Sequence, residues 1–255
     1  MRDVIVPISN VRRLVNATRT SLHTSRGTPR VIMVTGDVGL GKTTSTQHVC
    51  LTEEAIWVEA QPDWTARWMT ADLAEELGAT RGKITEQNHR AIIGALRERP
   101  RAVFIDEADR LVKRMHLCET LRAIHDQSGA PLVLIGMKDL PRAVRQVPQL
   151  ESRIAHWVEF LPCDLRDTRM MAEQLCEIEL GDDLVREIHR ATAGSARKIR
   201  IGLERLERLA RLRTKRSLGL SDLPDDFALT YEVRSRAQGK QAREEVAELK
   251  NAAAA

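Results

Sequence analysis

Lys42 and Thr43 close a glycine-spaced loop, Gly36-Asp37-Val38-Gly39-Leu40-Gly41-Lys42-Thr43, that fits the pattern GxxxxGK[ST]. Glycines at this spacing let successive backbone N–H groups turn inward around an anion. A helix starting at the loop's end adds the partial positive charge of its N-terminus. The chemistry this suits is the grip of a nucleotide's phosphates. Lys42 would reach the β- and γ-phosphates, Thr43 would offer its hydroxyl to Mg²⁺, and Thr44 carries the loop into the helix. Gly36, Asp37, Val38, Gly39, Leu40, Gly41, Lys42, Thr43 and Thr44 are therefore the candidate nucleotide-binding residues.

A second run, Ala102-Val103-Phe104-Ile105-Asp106-Glu107, supplies the acidic half of such a site 64 positions after Lys42. At the end of a neighbouring strand, Asp106 would hold Mg²⁺ through water. Glu107 would polarise the water that attacks the γ-phosphate, giving an ATP hydrolase.

These residues need a scaffold that ends several strands side by side. Apolar runs at Val31 to Thr35, Ala55 to Glu59, Ala102 to Ile105, Leu132 to Gly136 and Trp157 to Phe160 read as short buried strands of a parallel sheet. Helical patterns alternate with them: Thr43 to Cys50, Thr65 to Leu77, Thr85 to Arg99, and Ala108 to Gln127 with a break near Met115. The expected fold is α/β, a doubly wound five-stranded parallel sheet. After Pro162 the strands stop. Asp164 and Asp182 are expected to cap two helices and Ser195 a third, on which Ile199, Leu203, Leu206 and Ala210 share a face. The expected division is a helical lead-in over 1–30, a nucleotide-binding core over 31–162, a small helical lid over 163–220 and a charged tail over 221–255. From Tyr231 onward little can pack, and a frayed helix or disordered tail is expected.

Composition narrows the class of protein. The chain has 255 residues, 42% hydrophobic and 30% charged, enough for one substantial core and a satellite. No apolar run approaches the roughly 18 to 20 residues that cross a bilayer. The start lacks the features of a secretory signal, so a cytoplasmic protein without a membrane partner is expected. Cys50, Cys118, Cys163 and Cys176 stand far apart, a pattern of buried thiols rather than of a zinc site or disulfide framework. Net charge is +4, but Arg186 to Arg216 holds eleven Lys or Arg against three Glu. Such a stretch either attracts polyanions or is a solvated face. Aromatic residues make up only 3% of the chain, which argues against a single-strand stacking platform and leaves duplex backbone as the nucleic-acid target.

The phosphate loop, the Asp106-Glu107 pair, the strand ending in Gly136 and the run Leu150-Glu151-Ser152-Arg153 together resemble the AAA+ ATPase family, over roughly Val11 to Leu212. The resemblance implies an AAA+ P-loop core with a lid, and a catalytic Arg153 presented to a neighbouring subunit's γ-phosphate. The alternative for Arg153 is a surface ion pair with Glu151 or Glu159. Gly194-Ser195-Ala196-Arg197 looks like the lid motif GxxR, which makes Arg197 a nucleotide-binding residue in competition with Lys198 and Arg200. One departure stands out. The family generally places a polar residue after the fourth strand to position water, and this chain has Met137 and Lys138 there.

Weaker cues are similar to the small transposition ATPases of the phage Mu B, TniB and TnsC type. They are the short helical lead-in, TGDVGLGKTT, the run Gln61-Pro62-Asp63-Trp64-Thr65, the run Leu134-Ile135-Gly136-Met137-Lys138-Asp139-Leu140, and Gln149 to Arg153. That likeness implies a homo-oligomer, ring or helical filament, which assembles with ATP on duplex DNA without sequence preference and delivers the target to a transposase that it activates. Candidate DNA contacts are Arg81 and Lys83 in one loop and Arg110, Lys113 and Arg114 after Asp106-Glu107, with an ordinary solvated face as the alternative. Two other readings are a DnaC- or IstB-like loader of a helicase or transposase, and an ExeA-like signalling or secretion switch that uses no DNA.

Overall fold

Val31 to Gly36 is a strand in which every side chain is buried, and its neighbours explain why. The computed structural model of the chain describes residues 1–25 and 27–230. Along it run α1 (Ser9–His23), β1 (Val31–Gly36), α2 (Lys42–Thr52), β2 (Ile56–Glu59), α3 (Ala66–Glu76), α4 (Thr85–Glu98), β3 (Val103–Asp106), α5 (Asp109–Val112), α6 (Met115–Ser128) and β4 (Leu132–Ile135). They continue with α7 (Leu140–Val144), α8 (Pro148–Glu151), β5 (Ile154–Phe160), α9 (Leu165–Leu175), β6 (Glu179–Leu180), α10 (Asp182–Thr192), α11 (Ala196–Leu212) and β7 (Ser217–Leu218).

Five strands form one parallel sheet in the order β2-β3-β4-β1-β5. Side chains of a strand alternate between faces, and the buried ones here sort accordingly. Val31, Met33, Val103, Ile105, Leu132 and Leu134 join one core with Leu73, Ile92 and Leu121 of α3, α4 and α6. Ile32, Val34, Phe104, Val133 and Ile135 join the other with Leu14 of α1 and Val49 of α2. Helices therefore cover both faces, the doubly wound α/β arrangement expected. Each fully buried residue of this kind contributes about 1.5–3 kcal/mol of hydrophobic stabilisation.

A third core lies beyond the sheet, where Leu184 and Ile188 of α10 meet Ile199, Leu203 and Leu206 of α11. Asp164 caps α9 by accepting from the Asp167 N–H at 2.7 Å, and Ser195 caps α11 by accepting from the Lys198 N–H. Asp182 differs from expectation: it is the first helical residue of α10, with Gly181 at the cap position.

Four further differences have local causes. β5 starts at Ile154, three residues before the expected Trp157, because pairing to β1 carries the mixed run Ile154-Ala155-His156 into the sheet. Two short helices, α7 and α8, fill the segment before it. Strands do not wholly stop after Pro162, since β6 and β7 form a two-residue parallel pair. Residues 223–230, expected in the charged tail, pack on the lid: Leu229 is buried, and Arg205 donates to the carbonyls of Ala228 and Thr230 at 2.6 and 3.2 Å. The tail expected from Tyr231 lies outside the described residues. Among those described, no helix is long and apolar enough to cross a membrane.

Candidate functional site

The carboxyl ends of β1, β3 and β4 open on one cavity of about 350 Å³. Gly36 ends β1, and the loop after it wraps into α2 with Gly41 in the left-handed region at the helix cap. Gly39 is also left-handed, at φ +82°, and any Cβ there would lie 2.9 Å from Ser195 Oγ. That closeness is used: the Ser195 hydroxyl and the Arg197 N–H both donate to the Gly39 carbonyl, at 3.3 and 3.0 Å. The lid helix α11 thus docks directly on the phosphate loop, and Arg197 lines the cavity with Val38, Gly41, Lys42, Thr43 and Thr44.

Lys42 folds back along the loop. Its ammonium donates to the carbonyls of Gly36 at 2.6 Å and Asp37 at 3.0 Å, and lies 4.0 Å from Met137 Sδ. Burial pulls this group below the ordinary lysine range, opposed by the carboxylates of Asp106, Asp109, Glu107 and Asp37. Carboxylates thus surround the group that the loop would offer to a phosphate.

Asp106 ends β3 only 4% exposed, and its Oδ1 accepts from the Glu107 N–H at 2.8 Å. Glu107 follows at φ +55°, a left-handed backbone uncommon for a residue with a side chain. That turn brings Asp106 and Glu107 to the same cavity wall. The hydroxyl of Thr43 and the carboxylate of Asp106 are hard oxygen donors of the kind Mg²⁺ takes alongside water and phosphate.

Asp109, absent from the sequence reading, is the anchor of this wall. Its Oδ2 accepts from the Met137 N–H at 2.8 Å, and Gly136 is required beside it, because a Cβ there would fall 2.3 Å from the same oxygen. The cavity's second half was also missed. Val4, Val6 and Ile8 of the N-terminal segment face Met171, Leu175 and Ile201 of the lid and make an apolar slot beside the phosphate loop. The apolar run Val4-Ile5-Val6-Pro7-Ile8 marks this segment as one that must be buried, without saying against what.

Arg153 lies elsewhere. Val31 pairs with Ile154, and the Val31 N–H donates to the Arg153 carbonyl at 2.9 Å, so Arg153 sits at the amino end of β1. The phosphate loop leaves the other end, about five steps of roughly 3.3 Å away. The partner of Arg153 is neither Glu151 nor Glu159 but Asp126, held through Nε and Nη2 at 2.9 Å each.

The basic candidates divide. Lys83 and Lys113 are exposed, and Arg81 makes only a loose 3.6 Å pair with Glu75. Arg110 instead donates to Glu59 Oε1 at 3.0 Å and the Ala60 carbonyl at 2.6 Å, while Arg114 donates to the carbonyls of Trp64 at 2.6 Å and of Pro62. These two arginines clamp the 59–64 loop rather than present themselves outward. In the basic stretch from Arg186 to Arg216, four groups are paired at the surface, Arg190 with Glu187, Arg200 with Asp3, Arg211 with Glu177 and Lys215 with Asp222.

Residues 25–144 match the family model described as an AAA domain. A segment of 82 residues, 32% of this chain, is 38% identical to a Staphylococcus aureus protein described as a potential ATP-binding protein. That match spans 29% of the relative, less than a third of its length. Among solved structures, the Aeropyrum pernix ORC2 protein in ADPNP-ADP complexes is similar with a TM-score of 0.67, at 18% identity over 87% of this chain and 68% of that one. The Aeropyrum pernix ORC1 protein in complex with DNA is similar with a TM-score of 0.61, at 19% identity over 96% of this chain and 66% of that one. With the strand order 2-3-4-1-5, these likenesses make the fold that of the AAA+ P-loop proteins.

Proposed function

We propose that this chain is an AAA+ ATPase that binds ATP with Mg²⁺ in the cavity at the carboxyl ends of β1, β3 and β4, and hydrolyses it at an interface between two copies. The observation that carries this is the convergence of Lys42, Thr43, Asp106, Glu107 and Arg197 on one cavity, while Arg153 stands a strand's length from it. The loop amides and Lys42 take the β- and γ-phosphates, the apolar slot takes the base, and Arg197 reaches the γ-phosphate from the lid. Thr43 and, through water, Asp106 would hold Mg²⁺, which would supply positive charge against the phosphate oxygens. Glu107 accepts the proton of a water whose oxygen attacks the γ-phosphorus. The bond to the β–γ bridging oxygen breaks, leaving ADP and phosphate. Arg153 of one copy stabilises the charge developing in its neighbour's site.

The task we assign to this cycle is assembly on duplex DNA, as a ring or helical filament that delivers target DNA to a transposase and activates it. The sequence cues from Gln61 to Thr65 and from Leu134 to Leu140 support that reading, and the similar ORC1 protein was solved in complex with DNA. ATP serves as the assembly signal and hydrolysis as the timer. Arg81, Lys83 and Lys113 remain as contacts to phosphates, since Arg110 and Arg114 are spent on the 59–64 loop.

Fluorescence anisotropy of a labelled duplex, titrated with protein in the presence of a non-hydrolysable ATP analogue or of ADP, tests it. Tight, salt-sensitive binding with the analogue and weak binding with ADP is expected. Equal binding in both removes ATP as the assembly signal; none in either removes the DNA role and favours an ATP-driven protein switch.

A further inference from the structure

The first turn of α1 ties the sheet to the lid. Leu14, further along α1, shares the sheet core with Phe160, the last residue of β5, while Val11 joins the lid core with Met171 and Leu175 of α9. Asn10 lies at the same turn and is 1% exposed. Its Nδ2 donates to the Leu161 carbonyl at 2.8 Å, and its Oδ1 accepts from the Leu161 N–H at 3.1 Å. One side chain thus satisfies both backbone groups of the residue at which the chain passes from β5 to the lid. Beside it, the lid supplies what α1 lacks. Ile8, at the cap position, has no side chain that can accept, and Asp167 of α9 takes over that role. Its Oδ1 accepts from the Ser9 N–H at 2.9 Å and from the Ser9 hydroxyl at 3.0 Å. Asp167 is 4% exposed, so these bonds and the positive end of α1 stand in for water around its carboxylate.

We propose that Asn10 and Asp167 are positioning residues, which together hold the lid at the angle that sets Arg197 over the phosphate loop. This rests on the reading of the cavity as an ATP site. The covalent link from β5 to α9 is short, Leu161 to Asp164, and by itself leaves the lid free to turn. At the other end, Ser195 and Arg197 both donate to one acceptor, the Gly39 carbonyl, which is a pivot and does not fix an angle. The first turn of α1 supplies the missing restraint. Asn10 fixes the start of the link, and Asp167 fixes α9 against a helix whose body is packed on the sheet. Since α9 and α11 share the lid core, the position of Arg197 follows. Val4, Val6 and Ile8, just before this turn, wall the apolar slot, so a base that fills the slot bears on the same segment that holds the lid.

The test is a double-mutant cycle on the full chain, titrated with fluorescent methylanthraniloyl ATP, folding being checked by thermal melting. Asp167→Ala is expected to lose about fivefold or more in affinity for the triphosphate, and Asn10→Ala a similar factor. Asp167→Asn, which keeps an oxygen acceptor for Ser9, should recover most of the loss. In a chain that already carries Arg197→Ala, each alanine substitution should cost less than about twofold, because the lid angle then has no arginine to place. Independent sites would instead contribute the same factor in both backgrounds. Ser9→Ala, at an exposed position, removes only the hydroxyl bond and keeps the test open if Asp167→Ala does not fold; its smaller loss should likewise vanish with Arg197→Ala. If the unaltered chain binds the triphosphate but the folded variants lose nothing, or lose equally with and without Arg197, the inference is overturned while the ATP site stands. If the unaltered chain does not bind the triphosphate, the ATP site itself fails, and the inference with it.

Discussion

The Arg153 guanidinium holds the Asp126 carboxylate through two parallel bonds of 2.9 Å, at the end of β1 remote from Lys42. Two consequences are open to experiment. Arg153 cannot serve the cavity of its own chain, and to serve a neighbour's it must leave Asp126. We predict that Arg153→Ala binds ATP with affinity within about twofold of the unaltered chain but loses roughly 10³-fold or more in hydrolysis. Mixing Arg153→Ala with Lys42→Ala, each inactive alone, should restore part of the hydrolysis, because mixed neighbours combine an intact loop with an intact arginine. Phosphate release from the mixture measures it, and no recovery at any ratio removes the shared site.

Glu107→Gln should keep ATP binding and lose hydrolysis, so that assemblies formed on duplex DNA with ATP persist. Electron microscopy at successive times after ATP addition reads this directly. Rapid dissociation of the variant's assemblies contradicts the timer role.

Lys83→Glu and Lys113→Glu should each weaken duplex binding and lower its salt dependence while leaving nucleotide affinity unchanged. Arg114→Ala acts differently, since its guanidinium holds the Trp64 carbonyl at 2.6 Å. We expect it to cost about 1–3 kcal/mol of stability in chemical denaturation, the penalty for leaving carbonyl acceptors without their charged donor.

Burial holds His125 below the ordinary histidine range, with its ring Nδ1 2.8 Å from the Ala130 carbonyl. The unfolded chain binds a proton on this residue near pH 6.5, before the folded chain does, so the unfolded state gains protons first and stability falls as pH drops below about 6.5. Denaturation midpoints measured between pH 7 and pH 5 should decline less steeply in His125→Gln than in the unaltered chain.

The thiols of Cys50, Cys163 and Cys176 are pushed up to about 12 and that of Cys118 to about 11 by burial. Native protein should therefore resist a thiol-reactive dye at pH 8 and yield four reactive groups in denaturant.

What the sequence made legible follows from how local its causes are. β1, β3 and β4 are apolar on both faces, so each reads as a buried strand from its own residues, and the phosphate loop and Asp106-Glu107 follow at their ends. The start of β5 was harder, because Ile154-Ala155-His156 belongs to an edge strand whose pattern is mixed and whose pairing to β1 comes from far along the chain. The roles of charged residues were least legible. Arg110 and Arg114 reach carbonyls about fifty positions earlier, and Asp126 meets Arg153 across 27 positions. No local pattern announces such partners. The apolar slot is of the same kind, since Val6 and Leu175 become neighbours only when the lid folds back onto the N-terminal segment.

On the function proposed above, ATP is turned over in a site shared between copies that gather on DNA. Steady-state phosphate release, measured at one protein concentration with and without linear duplex DNA, tests it most directly. Slow release alone, stimulation by duplex, and loss of both in Lys42→Ala and Arg153→Ala are expected. Release that is indifferent to duplex, or that survives in Arg153→Ala, contradicts it.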